Sequence, residues 1–192
     1  MHKLKQRLFC TCATALAMGA VASILPAQAQ QGFLGNVTGT FGSEGIGPSI
    51  SGSNNIISLS DRESIIDWQP SDQNGTGPID FLPQANSVLF QEQVSATITD
   101  FTVLNRIQPT TGAGVPVSRV IELNGTIQSR FNGVAGGSVW FYTPGGFAVG
   151  ANSVFDVGNL VLTSNQIDTT GGLYGANNTI RFRGAVGSTA GV

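Results

Sequence analysis

Apolar residues in this chain come in short runs cut by Pro, Gly and Asn, not in long periodic stretches. The clearest set lies in residues 138–164, SVWFYTPGGFAVGANSVFDVGNLVLTS, where apolar runs cover 139–142, 147–149 and 154–162. Runs this short, bounded by breakers and rich in β-branched and aromatic residues, predict strands. In the third run Phe155 and Val157 alternate with Val154 and Asp156, so one face is expected to be buried and the other wet. Thr143-Pro144-Gly145-Gly146 predicts a type II turn, because proline presets φ at the first central position and Gly145 can take the positive φ needed at the second. On that reading Gly145→Val strains the turn, whereas Gly145→Asn is mild.

The rest of the chain extends the pattern. Residues 30–53 are rich in Gly, Ser and Asn and predict a flexible lead-in or an irregular cap. Ile65-Ile66-Asp67-Trp68, a turn-rich stretch over 69–78, and Ile79-Asp80-Phe81 predict two strands joined by a long loop. Residues 94–99 alternate most regularly, with Val94, Ala96 and Ile98 on one face and Ser95, Thr97 and Thr99 on the other, and predict another strand. Further strands are expected over 103–107, 120–123 and 126–129. A loose repeat opens three strands with a turn residue, a serine and a valine: Asn86-Ser87-Val88, Gly137-Ser138-Val139 and Asn152-Ser153-Val154. No helical pattern interrupts them after residue 29. Two all-β architectures fit, a sandwich of hairpins or a solenoid of successive coils. Asn124-Gly125 suits a type I′ hairpin and favours the sandwich locally.

The first 29 residues carry a different message. His2, Lys3, Lys5 and Arg7 form a basic head, residues 8–25 an apolar middle, and Ala27-Gln28-Ala29 a small-x-small cleavage site, which together predict a signal peptide. A bulky residue at Ala29 is expected to block processing. Removing the leader takes with it Cys10, Cys12, the one histidine and both lysines, and leaves six arginines against eleven acids, a formal charge of −5. The mature chain therefore has no disulfide, thiolate nucleophile, imidazole base or His/Cys metal site. Charged residues make up 10% of the chain, against about 25% in ordinary domains. Surface polarity must come from Ser, Thr, Asn, Gln and backbone, as in extracellular β-rich proteins. The absence of a basic cluster argues against nucleic acid as a partner.

The string TPGGFAVGANSVFDVGNLVLTS resembles the block containing Asn-Pro-Asn-Gly in the filamentous haemagglutinin N-terminal (two-partner secretion) domain family. Pro144 and Gly146 match, as do Val157-Gly158-Asn159-Leu160 and Thr163-Ser164, while Thr143 and Gly145 stand where the family has asparagines. Val103-Leu104-Asn105-Arg106-Ile107 is similar to the family's Leu-Asn-Arg-Val signature, and Ile65 to Phe81 to its I-x-W…V-x-F segment. The family's Asn-Pro-Asn-Leu signature is absent. The resemblance covers roughly residues 56–167 and implies a right-handed parallel β-helix with an irregular N-terminal cap, occupying 54–192 after the leader and the 30–53 lead-in. It implies the secretion-directing N-terminal domain of a large secreted or surface adhesin. That domain is exported through the periplasm, recognised by an outer-membrane β-barrel transporter, and seeds β-helix folding outside the cell. A host or cell-surface ligand is a further implied partner. The family residues carried over are Asn105, Arg106, Thr143, Pro144, Gly145, Gly146, Val157, Gly158 and Leu160. The small-residue tail, 184–192, reads as the point where such proteins continue into a stalk.

Other constellations point elsewhere. Asp61, Glu63 and Asp67, followed by Asp72 and Asp80, offer paired acids of the kind a polysaccharide-processing β-helix uses, although solvated loop acids have the same pattern. Asp72, Asn74 and Asp80 supply oxygen ligands for calcium, but without the spacing of an EF-hand or a nonapeptide array. Trp68, Trp140, Phe141 and Tyr142 are candidates for a sugar-stacking platform or for core packing. Arg181-Phe182-Arg183 reads as a strand with its arginines on one face. The expectation is a protein without catalytic residues, cofactor, metal or transmembrane helix. The alternatives are a self-assembling surface or matrix protein and a secreted polysaccharide-processing β-helix.

Overall fold

The computed structural model describes residues 31–94 and 96–183; the expected leader and the 184–192 tail lie outside the described residues, as does Ser95. The described chain is all-β, with one 3-10 turn at Ala176–Asn178. The strands are β1 (Gly35–Gly42), β2 (Ser49–Ser51), β3 (Ile56–Leu59), β4 (Glu63–Pro70), β5 (Ile79–Leu82), β6 (Ser87–Glu92), β7 (Thr102–Ile107) and β8 (Ile121–Leu123). They continue as β9 (Thr126–Phe131), β10 (Val134–Ala135), β11 (Ser138–Tyr142), β12 (Phe147–Val149), β13 (Val154–Asp156), β14 (Asn159–Thr163), β15 (Gln166–Ile167) and β16 (Phe182–Arg183). No helix among the described residues is long and apolar enough to cross a membrane.

Three sheets share most of the strands, and β15 and β16 form a separate antiparallel pair. One is ordered β1-β4-β7-β11-β14, the second β10-β9-β6-β3-β2 with β13 also on β9, and the third β12-β8-β5. The sheets are mixed. β4, β7, β11 and β14 run parallel, whereas β1 lies antiparallel on β4. β3, β6, β9 and β13 are likewise parallel, with β2 and β10 antiparallel at the margins. The chain passes β4, β5, β6, then β7, β8, β9, then β11, β12, β13, entering the three sheets in the same order each time. Backbone bonds continue across the corners: Thr102 N–H donates to Arg62 O (2.7 Å), Ser138 N–H to Phe101 O (2.8 Å) and Asn159 N–H to Gly137 O (3.0 Å).

Alternation places one face of most strands inside. Ile57, Ile66, Phe81, Val88, Phe90, Val103, Ile121, Ile127, Val139 and Phe141 come from all three sheets and form one buried cluster. Phe33, from the lead-in, lies at its centre, stacked on Phe81 (4.8 Å) and edge-on to Trp68 (5.3 Å) and Phe141 (5.9 Å). The lead-in therefore holds two strands, Gly35–Gly42 and Ser49–Ser51, joined by irregular segments. It supplies a core aromatic and two strands whose antiparallel pairing covers the first parallel strands.

A second apolar cluster occupies the opposite face of the β1-β4-β7-β11-β14 sheet. Ile65, Leu104 and Trp140 lie there beneath Ile167 and Leu173, with Tyr142, Val161, Tyr174 and Ile180 at the rim. Neighbouring residues of a strand face opposite ways, so Ile65/Ile66 and Trp140/Phe141 each serve both clusters. This accounts for the continuous apolar runs in β4 and β11. The covering segment, 165–183, is held by Leu173 N–H donating to Glu63 Oε2 (2.5 Å) and by Tyr174 Oη against Thr102 Oγ1 (2.8 Å). The arginines of Arg181-Phe182-Arg183 grip its loop: Arg181 donates to Thr170 O (2.6 Å), and Arg183 pairs with Asp168 (2.9 Å).

Three expectations fail. Residues 94 and 96–99 lie in no strand; Val94 is fully exposed, and a turn bond from Ala96 N–H to Gln93 O (2.8 Å) carries the chain from β6 towards β7. Asn124-Gly125 closes no hairpin, because β8 and β9 belong to different sheets. Both of its N–H groups donate to Leu82 O (2.7 and 2.9 Å), and a Cβ on Gly125 would lie 2.4 Å from Asn86 O. The 154–162 run is two strands, broken at Val157-Gly158 where the chain changes sheet.

Candidate functional site

The two motif-bearing segments meet on adjacent strands. Parallel pairing of β7 with β11 sets Asn105 opposite Phe141 and Arg106 opposite Tyr142, one step before the Thr143–Gly146 turn. Asn105 is fully buried; its Oδ1 accepts the Trp68 indole N–H (3.0 Å), and its Nδ2 donates to Trp140 O (3.2 Å). It thus ties three successive strands. Arg106, one residue on, faces outward and makes a bidentate pair with Asp67, Nε to Oδ1 at 2.5 Å and Nη2 to Oδ2 at 2.7 Å.

The turn differs from the expected type. Gly146 N–H donates to Thr143 O (3.3 Å), but Gly146 carries the positive φ (78°), and Gly145 lies outside the left-handed region. A type II turn needs positive φ at its second central residue, so this turn is not type II. Gly145 is required for another reason: a Cβ there would meet Arg119 O at 2.0 Å. Thr143 is buried, and its hydroxyl has no partner among the described residues. Pro144 is exposed.

The remaining family positions sit at the other end of the same sheet. Gly158 packs on the preceding corner, where a Cβ would lie 2.5 Å from Gly137 O, and its N–H donates to Ser129 Oγ (3.2 Å). Val157 leans on the core, and Leu160 is largely exposed. The nine positions therefore divide between two corners.

Neither the acids nor the aromatics assemble as a set. Asp61 is buried and accepts Gly47 N–H (2.9 Å), Glu63 accepts Leu173 N–H, Asp67 pairs with Arg106, and Asp80 accepts from Asn124 (3.1 Å). Asp72 pairs with Arg119 (2.6 Å), whose hydrogen bond holds its carboxyl below the usual carboxylate range. No three acidic side chains gather to hold a cation among the described residues. Trp68, Trp140 and Phe141 are buried, which leaves Tyr142 as the half-exposed ring of the four.

Two features escaped the sequence reading. Arg119 is buried and also donates to Gly77 O (2.7 Å) and Asp72 O (2.9 Å), fastening the loop between β4 and β5. No periodicity marks it; a lone arginine ahead of an apolar strand is the signal available. The second is a cleft of about 370 Å³ beside the turn, lined by Tyr142 and Pro144, by Gln69, and by the 108–118 loop between β7 and β8. No family model, curated protein or solved structure matches this chain.

Proposed function

We propose that this chain is the secretion-directing N-terminal domain of a large secreted or surface-attached adhesin, built as a right-handed parallel β-helix and engaged by an outer-membrane β-barrel transporter. The observation that carries the reading is the juxtaposition of Asn105-Arg106 with Thr143–Gly146 on adjacent strands. The strand order supports it as well. Three sheets entered in a fixed order through parallel neighbours have the connectivity of successive coils, and the antiparallel β1 and β2 cap the first of them. Among the described residues β12, β13 and β14 each keep one unpaired edge, on which a further coil can form. Low charge and a cysteine-free mature sequence suit passage of an unfolded chain followed by condensation outside. The division of labour follows: Asn105 and the glycines hold coils together, and the partly exposed Arg106 and the exposed Pro144 are motif groups that reach the surface for a transporter.

The test is release into the medium with and without a co-expressed two-partner barrel transporter. Transporter-dependent release that drops in Pro144→Ala with the unfolding midpoint of the purified variant unchanged, and in Arg106→Ala by more than the small stability loss of its broken Asp67 pair accounts for, supports the proposal. Release indifferent to the transporter overturns it. The unpaired edges also favour a second reading, self-assembly end to end, which predicts sedimentation that grows with concentration.

A further inference from the structure

The cleft between the 108–118 loop and the end of β11 is lined by that loop, by Trp68 of the core and by Pro144 of the turn. We infer that it binds a neutral sugar ring, at the end of or within an uncharged glycan. A volume of about 370 Å³ falls at the small end of the roughly 300–1,000 Å³ typical of ligand sites, which suits a mono- or disaccharide. The lining matches the two-sided chemistry of a pyranose. Pro109, Pro116, Pro144 and the Tyr142 ring supply an apolar wall for the C–H face. The Gln108 amide, Ser118 hydroxyl and Tyr142 hydroxyl supply the rim, and none of the three makes a hydrogen bond to the described residues. Gln69 is different: with its amide nitrogen placed towards Thr110 Oγ1 and Gln108 O (3.2 Å each), it is committed to the loop.

Charge narrows the ligand class. No ionised side chain lines the cleft, and the charged group beside Tyr142 in the sheet, Arg106, is neutralised by its bidentate pair with Asp67. An anionic or cationic ligand would lose its hydration without an ionic partner. The wall is also preformed. Val117 N–H donates to Pro109 O (3.0 Å) and Thr111 N–H to Val115 O (2.8 Å), so the loop is a pinned hairpin and little ordering is left to oppose binding.

Titration of the purified mature chain with lactose, maltose and cellobiose, followed by amide chemical shifts, tests the inference. A sialylated trisaccharide and a proline-rich peptide serve as comparators. Saturable millimolar binding of at least one neutral disaccharide is expected, with shifts confined to 108–118 and 142–144. Tyr142→Ala should weaken it by roughly tenfold and Tyr142→Phe by less. Gln108 and Ser118 are exposed, so Gln108→Ala and Ser118→Ala should weaken binding several-fold without moving the unfolding midpoint. The inference is overturned if no neutral sugar saturates, if the sialylated or peptide comparator binds as well or better, or if binding is unchanged in both Gln108→Ala and Tyr142→Ala.

Discussion

Gly145 lies against the backbone of Arg119, so closely that a Cβ would sit 2.0 Å from its carbonyl oxygen and 2.3 Å from its carbonyl carbon. Neighbouring Gly146 has open space around it and a φ of 78°. The two glycines are therefore required for different reasons, and substitutions separate them.

At Gly145, alanine, asparagine and valine should all destabilise, by about 1–3 kcal/mol or more, because the obstacle is backbone that cannot rotate away. At Gly146 asparagine should be mild and valine costly by about 1–3 kcal/mol, because only conformation is at stake. Thermal unfolding of the five variants checks this. A Gly145→Asn protein melting with the unaltered chain would mean that the Arg119 contact is not made in solution.

Asn105→Ala should cost more than Arg106→Ala. The first leaves the buried Trp68 indole N–H without its acceptor, a loss of about 1–3 kcal/mol. The Arg106–Asp67 pair is about a quarter exposed on both sides (26% and 25%), so solvent screening limits it to about 0.5–1 kcal/mol. Urea midpoints at low and high salt distinguish the two: only the Arg106 effect should shrink with salt.

Phe33→Ala should be among the most damaging single changes before β3. The ring is 1% exposed and contacts aromatics from each of the three sheets. Removing a buried phenylalanine costs about 3–5 kcal/mol, a large part of the roughly 5–15 kcal/mol that stabilises a domain. Denaturant unfolding followed by Trp68 fluorescence measures it, and a shift below about 1 kcal/mol would mean that the lead-in is not docked.

Acid should loosen the covering segment in a defined window. The Thr170 backbone N–H (3.0 Å), with its hydroxyl and Arg183, lowers the Asp168 carboxyl from 3.8 to about 2. A carboxyl depressed in the folded state stabilises it above the unfolded value, and the contribution is lost as pH falls from about 4 to about 2. Hydrogen exchange of the Thr170 amide should rise, relative to its intrinsic rate, across that interval, and in Asp168→Asn it should already be raised at neutral pH. A protection factor that is flat with pH would refute the assignment.

Much of this protein was legible without coordinates, and the legible part is local. Short apolar runs between breakers mark β4, β5, β7, β8, β9, β11 and β12 because strand propensity and alternation act over a few residues. Phe155 and Val157 face inward and Val154 outward, as alternation requires. Chemistry excluded by composition, such as thiolate or imidazole catalysis after residue 29, likewise needed no structure.

What tertiary structure decided is everything that depends on a distant partner. Residues 94–99 alternate as well as any strand here, yet that pattern describes a strand only if a neighbouring edge offers hydrogen bonds. Phe33 looks isolated in a glycine-rich stretch and becomes central because Phe81, Phe90 and Phe141 converge around it. The sequence marks Gly145 and Gly146 alike as turn residues. Only the passage of Arg119 beside one of them shows which glycine is needed for its φ and which for lacking a side chain. Local physics determined where strands can form; long-range contact determined which of them pair, what lies between them, and where a cleft remains.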